Sequence, residues 1–300
     1  MTVAGSPAVT TNVGRPFLGG RRFSLDWVGA VPYLVYVGLF LILPSVIIGI
    51  GALLDANNAF TLDNFRNLSR SYVVKATIDT TVLSAITAFL GAVFGALLAY
   101  AIVTGSPNGI LRRLTISASG VLAQFGGVTL AFAFIASIGP AGFVYLFAQA
   151  HGFDFYKQDL WLFEIPGLDL VYLYFQIPLM VLVFLPALDG IKPQWREAAE
   201  SLGGNTWHYW RHVAGPLLFP AFLGSVLLLF ANAFSAYATA NALINQGQPV
   251  LAQQIAGALS SEVGAYEPGF AKAIAIEMII IVTLVTVLYT LLQRRTARWL

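Results

Sequence analysis

Three histidines, no cysteine and 14 acidic residues among 300 bound the chemistry open to this chain. Without cysteine there are no disulfides, thiolate metal sites, iron–sulfur clusters or thiol nucleophiles. His208 and His212 stand one helical turn apart, a spacing able to bind a metal ion, but no third ligand stands near them. They read as interfacial side chains, and no metal ligand is assigned. The sequence contains no Gly-x4-Gly-Lys-Ser/Thr phosphate loop, so it holds no ATP in that manner, and no cofactor is expected on it. Nor does it offer a cluster of nucleophile, acid and base, so no catalytic residue is assigned and the chain does not read as an enzyme. Two other groups of residues carry the functional reading. One is the segment Glu197–Pro216; the other is a scatter of polar side chains inside strongly apolar runs.

Those polar residues are Gln124, Gln176, Asn232, Ser235, Tyr237, Thr239, Asn241 and Glu277. Amide and ionisable groups are costly in hydrocarbon unless they face a partner or a water-filled path. Asn232, Ser235 and Thr239 fall at i, i+3 and i+7, one face of a continuous helix. Gln124, Gln176, Asn232, Ser235, Thr239 and Glu277 are the candidates for a solute pathway. Helix–helix hydrogen bonds explain the same residues equally well. Gln124 precedes Gly126-Gly127 and Gln176 lies near Pro178, where a helix breaks or packs closely. Glu277 is the only acid well inside an apolar run and faces either the pathway or a second membrane subunit. Lys272, five residues away, is not expected to pair with it.

The runs that position these residues identify the class. Hydrophobic residues make up 58% of the chain and charged residues 10%, against about 25% charged in a soluble domain. Six stretches reach the ~20 apolar residues needed to cross a bilayer: 28–54, 76–104, 114–139, 168–188, 216–242 and 269–293. The expected fold is an all-α membrane protein of six transmembrane helices, with a short cytoplasmic helix between the fourth and fifth. Residues 1–26 read as a flexible cytoplasmic tail and 27–300 as the membrane domain. Lys and Arg set the orientation. Arg15, Arg21 and Arg22, then Arg112 and Arg113, then Lys192, Arg196 and Arg211, then Arg294, Arg295 and Arg298 mark one side. Both termini and the even loops are expected in the cytoplasm of a multi-pass cell-membrane protein. The net charge of +2 gives no reason to expect nucleic acid. Phe153, Phe155, Tyr156, Trp161 and Phe163 in the outer segment 140–167 read as membrane-surface side chains, and Val250–Leu259 as a segment that re-enters the membrane or lies on it.

The segment after Gly190 has its own local logic. Pro193 suits a first helical position. Trp195, Ala198, Ala199 and Leu202 form one apolar stripe at i, i+3, i+4 and i+7, with Gln194, Arg196, Glu197 and Glu200 outside it. Gly203-Gly204 ends the helix, and Asn205 N-caps a second helix that Trp207, Tyr209 and Trp210 hold at the membrane surface up to Pro216. Two alanines on the apolar face anchor poorly in lipid but admit a close protein surface, and two glutamates suit anionic headgroups badly. Docking in a partner's groove accounts for both. Glu197 is then free for a basic residue of the partner, and Glu200 exchanges with Arg196 one turn back.

Glu197-Ala198-Ala199, Gly203 four residues on, and then Val213 and Pro216 resemble the EAA loop of permease subunits of binding-protein-dependent (type I) ABC importers. Gly215 departs from the family pattern, which carries Leu there. Phe60-Thr-Leu-Asp-Asn-Phe is similar to a phrase of the same family, and the Ile177–Ala240 stretch resembles its spermidine/putrescine and 2-aminoethylphosphonate branch. The resemblance implies that Glu197, Ala198, Ala199, Leu202 and Gly203 dock onto a separate ABC ATPase subunit, which hydrolyses the ATP. It implies pairing with a second permease, identical or different, and delivery of solute by an extracytoplasmic binding protein. Acidic outer loops favour a small cation such as a polyamine. An organophosphonate, a sugar or an inorganic anion is the alternative within the family. A secondary transporter is the alternative outside it, and no inverted repeat supports that reading.

Overall fold

The computed structural model describes residues 29–55, 57–105, 109–157, 159–244, 250–260 and 266–296. The tail expected over 1–26 lies outside them. The chain divides into two units, residues 1–47 and 48–300. In the first, α1 (Val31–Val37) and a π-helical turn (Gly38–Ile42) run into α2 (Leu43–Ala52), which crosses the boundary between the units. Val31–Ala52 is 22 residues of high mean hydropathy, enough for a span.

In the second unit, α3 (Asp63–Arg66) and a 3-10 turn (Asn67–Ser69) precede α4 (Ser71–Thr104), α5 (Ile110–Gln124), α6 (Gly127–Ile138) and α7 (Phe143–Ala150). Next come α8 (Ile165–Asp189), α9 (Pro193–Ser201), α10 (Thr206–Tyr209), a π-helical turn (Trp210–Ala214) and α11 (Gly215–Phe234). The chain continues through α12 (Ala238–Leu243), α13 (Leu251–Leu259) and α14 (Pro268–Thr296). Among the described residues no strand forms, and one isolated bridge joins Leu54 and Phe60. Six helical runs are long and apolar enough to span a membrane, so the expected all-α fold is the one observed.

The core lies where α4 meets α8. Lipid tails are as apolar as leucine, so helices associate in a membrane through close packing and hydrogen bonds. Ala88, Ala92 and Ala99 on α4 lie in one buried cluster with Met180, Val181 and Phe184 of α8. Gly95 is buried on the same helix. A β-carbon there would collide with the Met180 Cβ and the Ile177 carbonyl, so only glycine permits this approach. The phrase around Phe60 also has a structural task. Asn64 donates from Nδ2 to the carbonyls of Ala52 and Leu54, both at 3.0 Å, and so satisfies backbone left open at the end of α2.

Two expected spans are broken. The run 114–139 is α5 and α6, interrupted at Phe125-Gly126, and helix resumes in α7 where the sequence suggests a loop. The run 216–242 is α11 and α12, interrupted at Ser235–Tyr237. The outer aromatics also separate. Phe153 and Phe155 are exposed, whereas Tyr156 donates to the Ile138 carbonyl at 2.5 Å and stacks on Trp161, and Leu162 between Trp161 and Phe163 is fully buried. Helix α13 is tied into the bundle, with the buried Leu251 amide donating to Thr80 Oγ1 at 2.8 Å. Thr80 lies nine residues into α4, about 14 Å along its axis.

Candidate functional site

Helix α9 begins at Pro193, whose missing N–H falls where no helical bond is made. It ends in a Schellman motif: the Gly203 amide bonds the Glu200 carbonyl at 3.0 Å and the Gly204 amide bonds the Ala199 carbonyl at 2.9 Å. Gly203 takes φ +79°, the left-handed region that glycine enters without a Cβ penalty. Asn205 then caps α10, its Oδ1 accepting from the His208 amide at 3.0 Å. Each of these termini follows from residues read in the sequence.

None of the residues of α9 is buried, although it carries an apolar stripe. Trp195, Ala198, Ala199 and Leu202 form one wall of an open groove of about 540 Å³; His208, His212 and Val213 form the other. Leu202 is 89% exposed. Arg196 pairs with Glu200 at 2.9 Å, and that hydrogen bond holds the guanidinium above its ordinary pKa. The exposed Glu197 carboxylate makes no ion pair among the described residues. The His208 and His212 rings lie 6.2 Å apart and nearly parallel, their Nδ1 atoms against Asn205 Oδ1 and the His208 carbonyl. Both acceptors lack a proton, so Nδ1 is the donor in each contact.

The second helix is not a separate surface element. It passes through the π turn directly into α11, with Tyr209 buried and Trp210 edge-on to Tyr100 at 5.3 Å; only Trp207 of the three aromatics is well exposed. The π turn explains the departure at Gly215. Its amide bonds the Trp210 carbonyl, and a β-carbon there would run into that same oxygen, so the leucine of the family pattern does not fit.

The polar residues of the apolar runs fall into separate places. The breaks at Gly126 and at Ser235–Tyr237 meet around a pocket of about 270 Å³ lined by Asn232, Ser235 and Thr239. Thr239 Oγ1 accepts from the Gly127 amide at 2.9 Å, and the Tyr172 hydroxyl donates to the Ala236 carbonyl at 3.0 Å, so each break is hydrogen-bonded by a neighbouring element. Asn232, Ser235 and Thr239 are gathered by a broken helix rather than by the face of a continuous one. Gln176 is fully buried and donates to Thr87 Oγ1 at 2.9 Å, joining α8 to α4. Glu277 accepts from Thr77 Oγ1 at 2.9 Å, joining α14 to α4, while Lys272 lies against Gly51. Gln124 is exposed at the end of α5. Arg112 donates from Nη2 to both carboxylate oxygens of Asp189, at 2.7 and 3.0 Å, and ties α5 to the end of α8; no local signal announces it, because 77 residues separate the partners.

Six helical runs long and apolar enough to span a membrane, with an amphipathic helix of no fully buried residue between the fourth and fifth, define a multi-pass membrane protein. Residues 141–298, more than half of the chain, match the family described as the binding-protein-dependent transport system inner membrane component. The chain belongs to that family, as a multi-pass permease component. It is 28% identical over 227 residues to the Nephroselmis olivacea protein named "Probable sulfate transport system permease protein cysT", covering 74% of each chain. It is 26% identical over 243 residues to the ferric transport system permease protein FbpB of Actinobacillus pleuropneumoniae. That match covers 79% of this chain but spans only 33% of the relative's length. In fold, it superposes on a chain of a bacterial alginate ABC transporter in complex with an alginate pentasaccharide-bound periplasmic protein. The TM-score is 0.74 at 17% identity, covering 90% of this chain and 94% of that one.

Proposed function

We propose that this chain is the permease of an ATP-driven importer and that the groove-forming segment Pro193–Pro216 is its contact with a separate ABC ATPase subunit. What supports the reading is the apolar stripe of α9, none of whose residues is fully buried within the chain, with Ala198 and Leu202 exposed and Trp195 and Ala199 half-buried. In this reading Glu197 meets a basic side chain of the ATPase, Ala198 and Ala199 admit the close approach, Leu202 inserts, and the left-handed Gly203 sets the angle between α9 and α10. The ATPase hydrolyses ATP; the permease itself binds no cofactor. The docking loop and both termini face the cytoplasm, a binding protein delivers solute on the other side, and a second permease completes the pathway. Delivery of this kind is in keeping with the alginate transporter, whose structure is a complex with a pentasaccharide-bound periplasmic protein.

The solute passes the pocket where the two broken helices meet, the place at which Asn232, Ser235 and Thr239 converge. Gln124, Gln176 and Glu277 serve as helix contacts or flank the path. A small cation, a polyamine among them, is the cargo favoured by Asp55, Asp63, Asp154, Asp159, Glu164, Asp169, Glu262 and Glu267 in or beside the outer segments, although Asp63 and Glu267 pair with Arg66 and Arg70. The relatives described above carry sulfate and ferric iron in their names, so this cargo rests on charge alone.

Glu197→Arg tests the docking role. The assembled complex is expected to hydrolyse ATP without accumulating solute, and wild-type uptake by a normally assembled variant would refute it. Uptake of labelled putrescine by cells with and without this chain tests the cargo separately. Equal uptake removes the polyamine and leaves the permease reading intact.

A further inference from the structure

A second crevice, distinct from the docking groove and from the broken-helix pocket, runs between α4, α8 and α11. It holds about 460 Å³ and is lined almost wholly by apolar side chains, Val93, Leu97, Phe184 and Phe222 among them. Tyr100 and Trp210 stand at the end nearest the docking loop. Leu97 and Phe219 on its rim are 60% and 44% exposed.

Three properties identify an occupant. The first is length. From Val93 to Tyr100 is seven residues, about 10 Å of helix, which falls within the roughly 15 Å of hydrocarbon in one leaflet. The second is volume. A helix about 10 Å across laid along the same 10 Å needs on the order of 800 Å³, well above the 460 Å³ present, whereas an alkyl chain fits. The third is the chemistry of the mouth. The Tyr100 hydroxyl and the Trp210 indole N–H make no hydrogen bond among the described residues. Arg196 is taken up by Glu200 at 2.9 Å, whereas the exposed Arg211 directly follows Trp210 and makes no ion pair among the described residues. An apolar slot of leaflet depth ending in aromatic donors and a basic residue is suited to a phospholipid.

We propose that this crevice binds one anionic phospholipid, with an acyl chain between α4 and α11 and its phosphate received by Tyr100 and Trp210 beside the exposed Arg211. The lipid would then brace the π turn that leads out of the docking loop. The inference does not depend on the identity of the docking partner and survives if that partner is not an ATPase.

The test is native mass spectrometry of the full chain in detergent, titrated with palmitoyl-oleoyl phosphatidylglycerol and, separately, with the phosphatidylcholine of the same chains. The first phosphatidylglycerol is expected to bind more tightly than later ones and than phosphatidylcholine. Each buried methylene is worth roughly a fourfold change in affinity, so Ala96→Trp, which fills the crevice, should weaken that first step by more than about tenfold. Tyr100→Phe and Trp210→Phe should each weaken it by about fivefold, the scale of one hydrogen bond.

Should Ala96→Trp not stay monodisperse, Leu97→Cys gives a second readout, because the chain has no native thiol. Its maleimide labelling should slow when phosphatidylglycerol is added. Equal affinity for the two lipids, or unchanged binding by a folded Ala96→Trp, overturns the proposal. So does disulfide dimer formation through Leu97→Cys, which would place a second copy of the chain in the crevice.

Discussion

Gly203 offers the sharpest single perturbation. Its φ of +79° lies in the left-handed region, and a β-carbon built on it meets nothing within 4 Å. Any penalty in the free chain is therefore conformational and not steric. An L residue in that region costs about 1–2 kcal/mol, a factor of roughly 5–30 in the population of the native turn. Helix α9 is nine residues long with none of them buried, so packing within the chain does little to offset that loss. The series Gly203→Asn, Gly203→Ala and Gly203→Val separates the causes. Asn tolerates the left-handed region, Ala does so poorly and a β-branched residue worst. Solute-stimulated ATP hydrolysis by the reconstituted complex should fall in that order, with Asn close to wild type. Activity that follows side-chain volume, with Asn as damaging as Val, would place the constraint in contact with the partner. Full activity for all three would refute the need for the turn.

Asn205→Ala removes the cap of α10 and should cost about 1 kcal/mol, seen as faster amide hydrogen exchange at His208 with the six spans unchanged. Asn64→Ala leaves the Ala52 and Leu54 carbonyls without their donor; unsatisfied buried groups cost about 1–3 kcal/mol each, so thermal unfolding in detergent should shift to lower temperature. Thr239→Val keeps the shape but strips the acceptor from the Gly127 amide, and should lower uptake while leaving assembly with the ATPase intact; unchanged uptake would remove that junction from the pathway.

Much of the segment Pro193–Pro216 is legible in sequence because its signals are local. Pro193, Gly203 and Asn205 each act within one helical turn of themselves, and the stripe from Trp195 to Leu202 depends on periodicity alone. Spans such as 168–188 and 269–293 are legible because a long apolar run has few other fates. The break at Ser235–Tyr237 is not, because no glycine or proline marks it. It is held by the Tyr172 hydroxyl, which acts from 64 residues away. The same reason hides the Arg112–Asp189 pair and the Thr77–Glu277 bond, which join distant segments. Gly215 is an anomaly in sequence and becomes intelligible only once the π turn places the Trp210 carbonyl against it. The start of α4 at Ser71 escapes the hydropathy pattern because Lys75 and Asp79 lower the apolar signal of its first turns.

The central claim is that the exposed stripe of α9 seats on an ATPase. The chain has no cysteine, so Leu202→Cys gives a unique thiol on that stripe. With single cysteines placed along the groove of the partner ATPase, a disulfide should form at one site in the resting complex and change in yield when ATP is trapped. Solute uptake by the chain reconstituted alone in vesicles, with no Leu202→Cys cross-link to any ATPase position, would contradict the account.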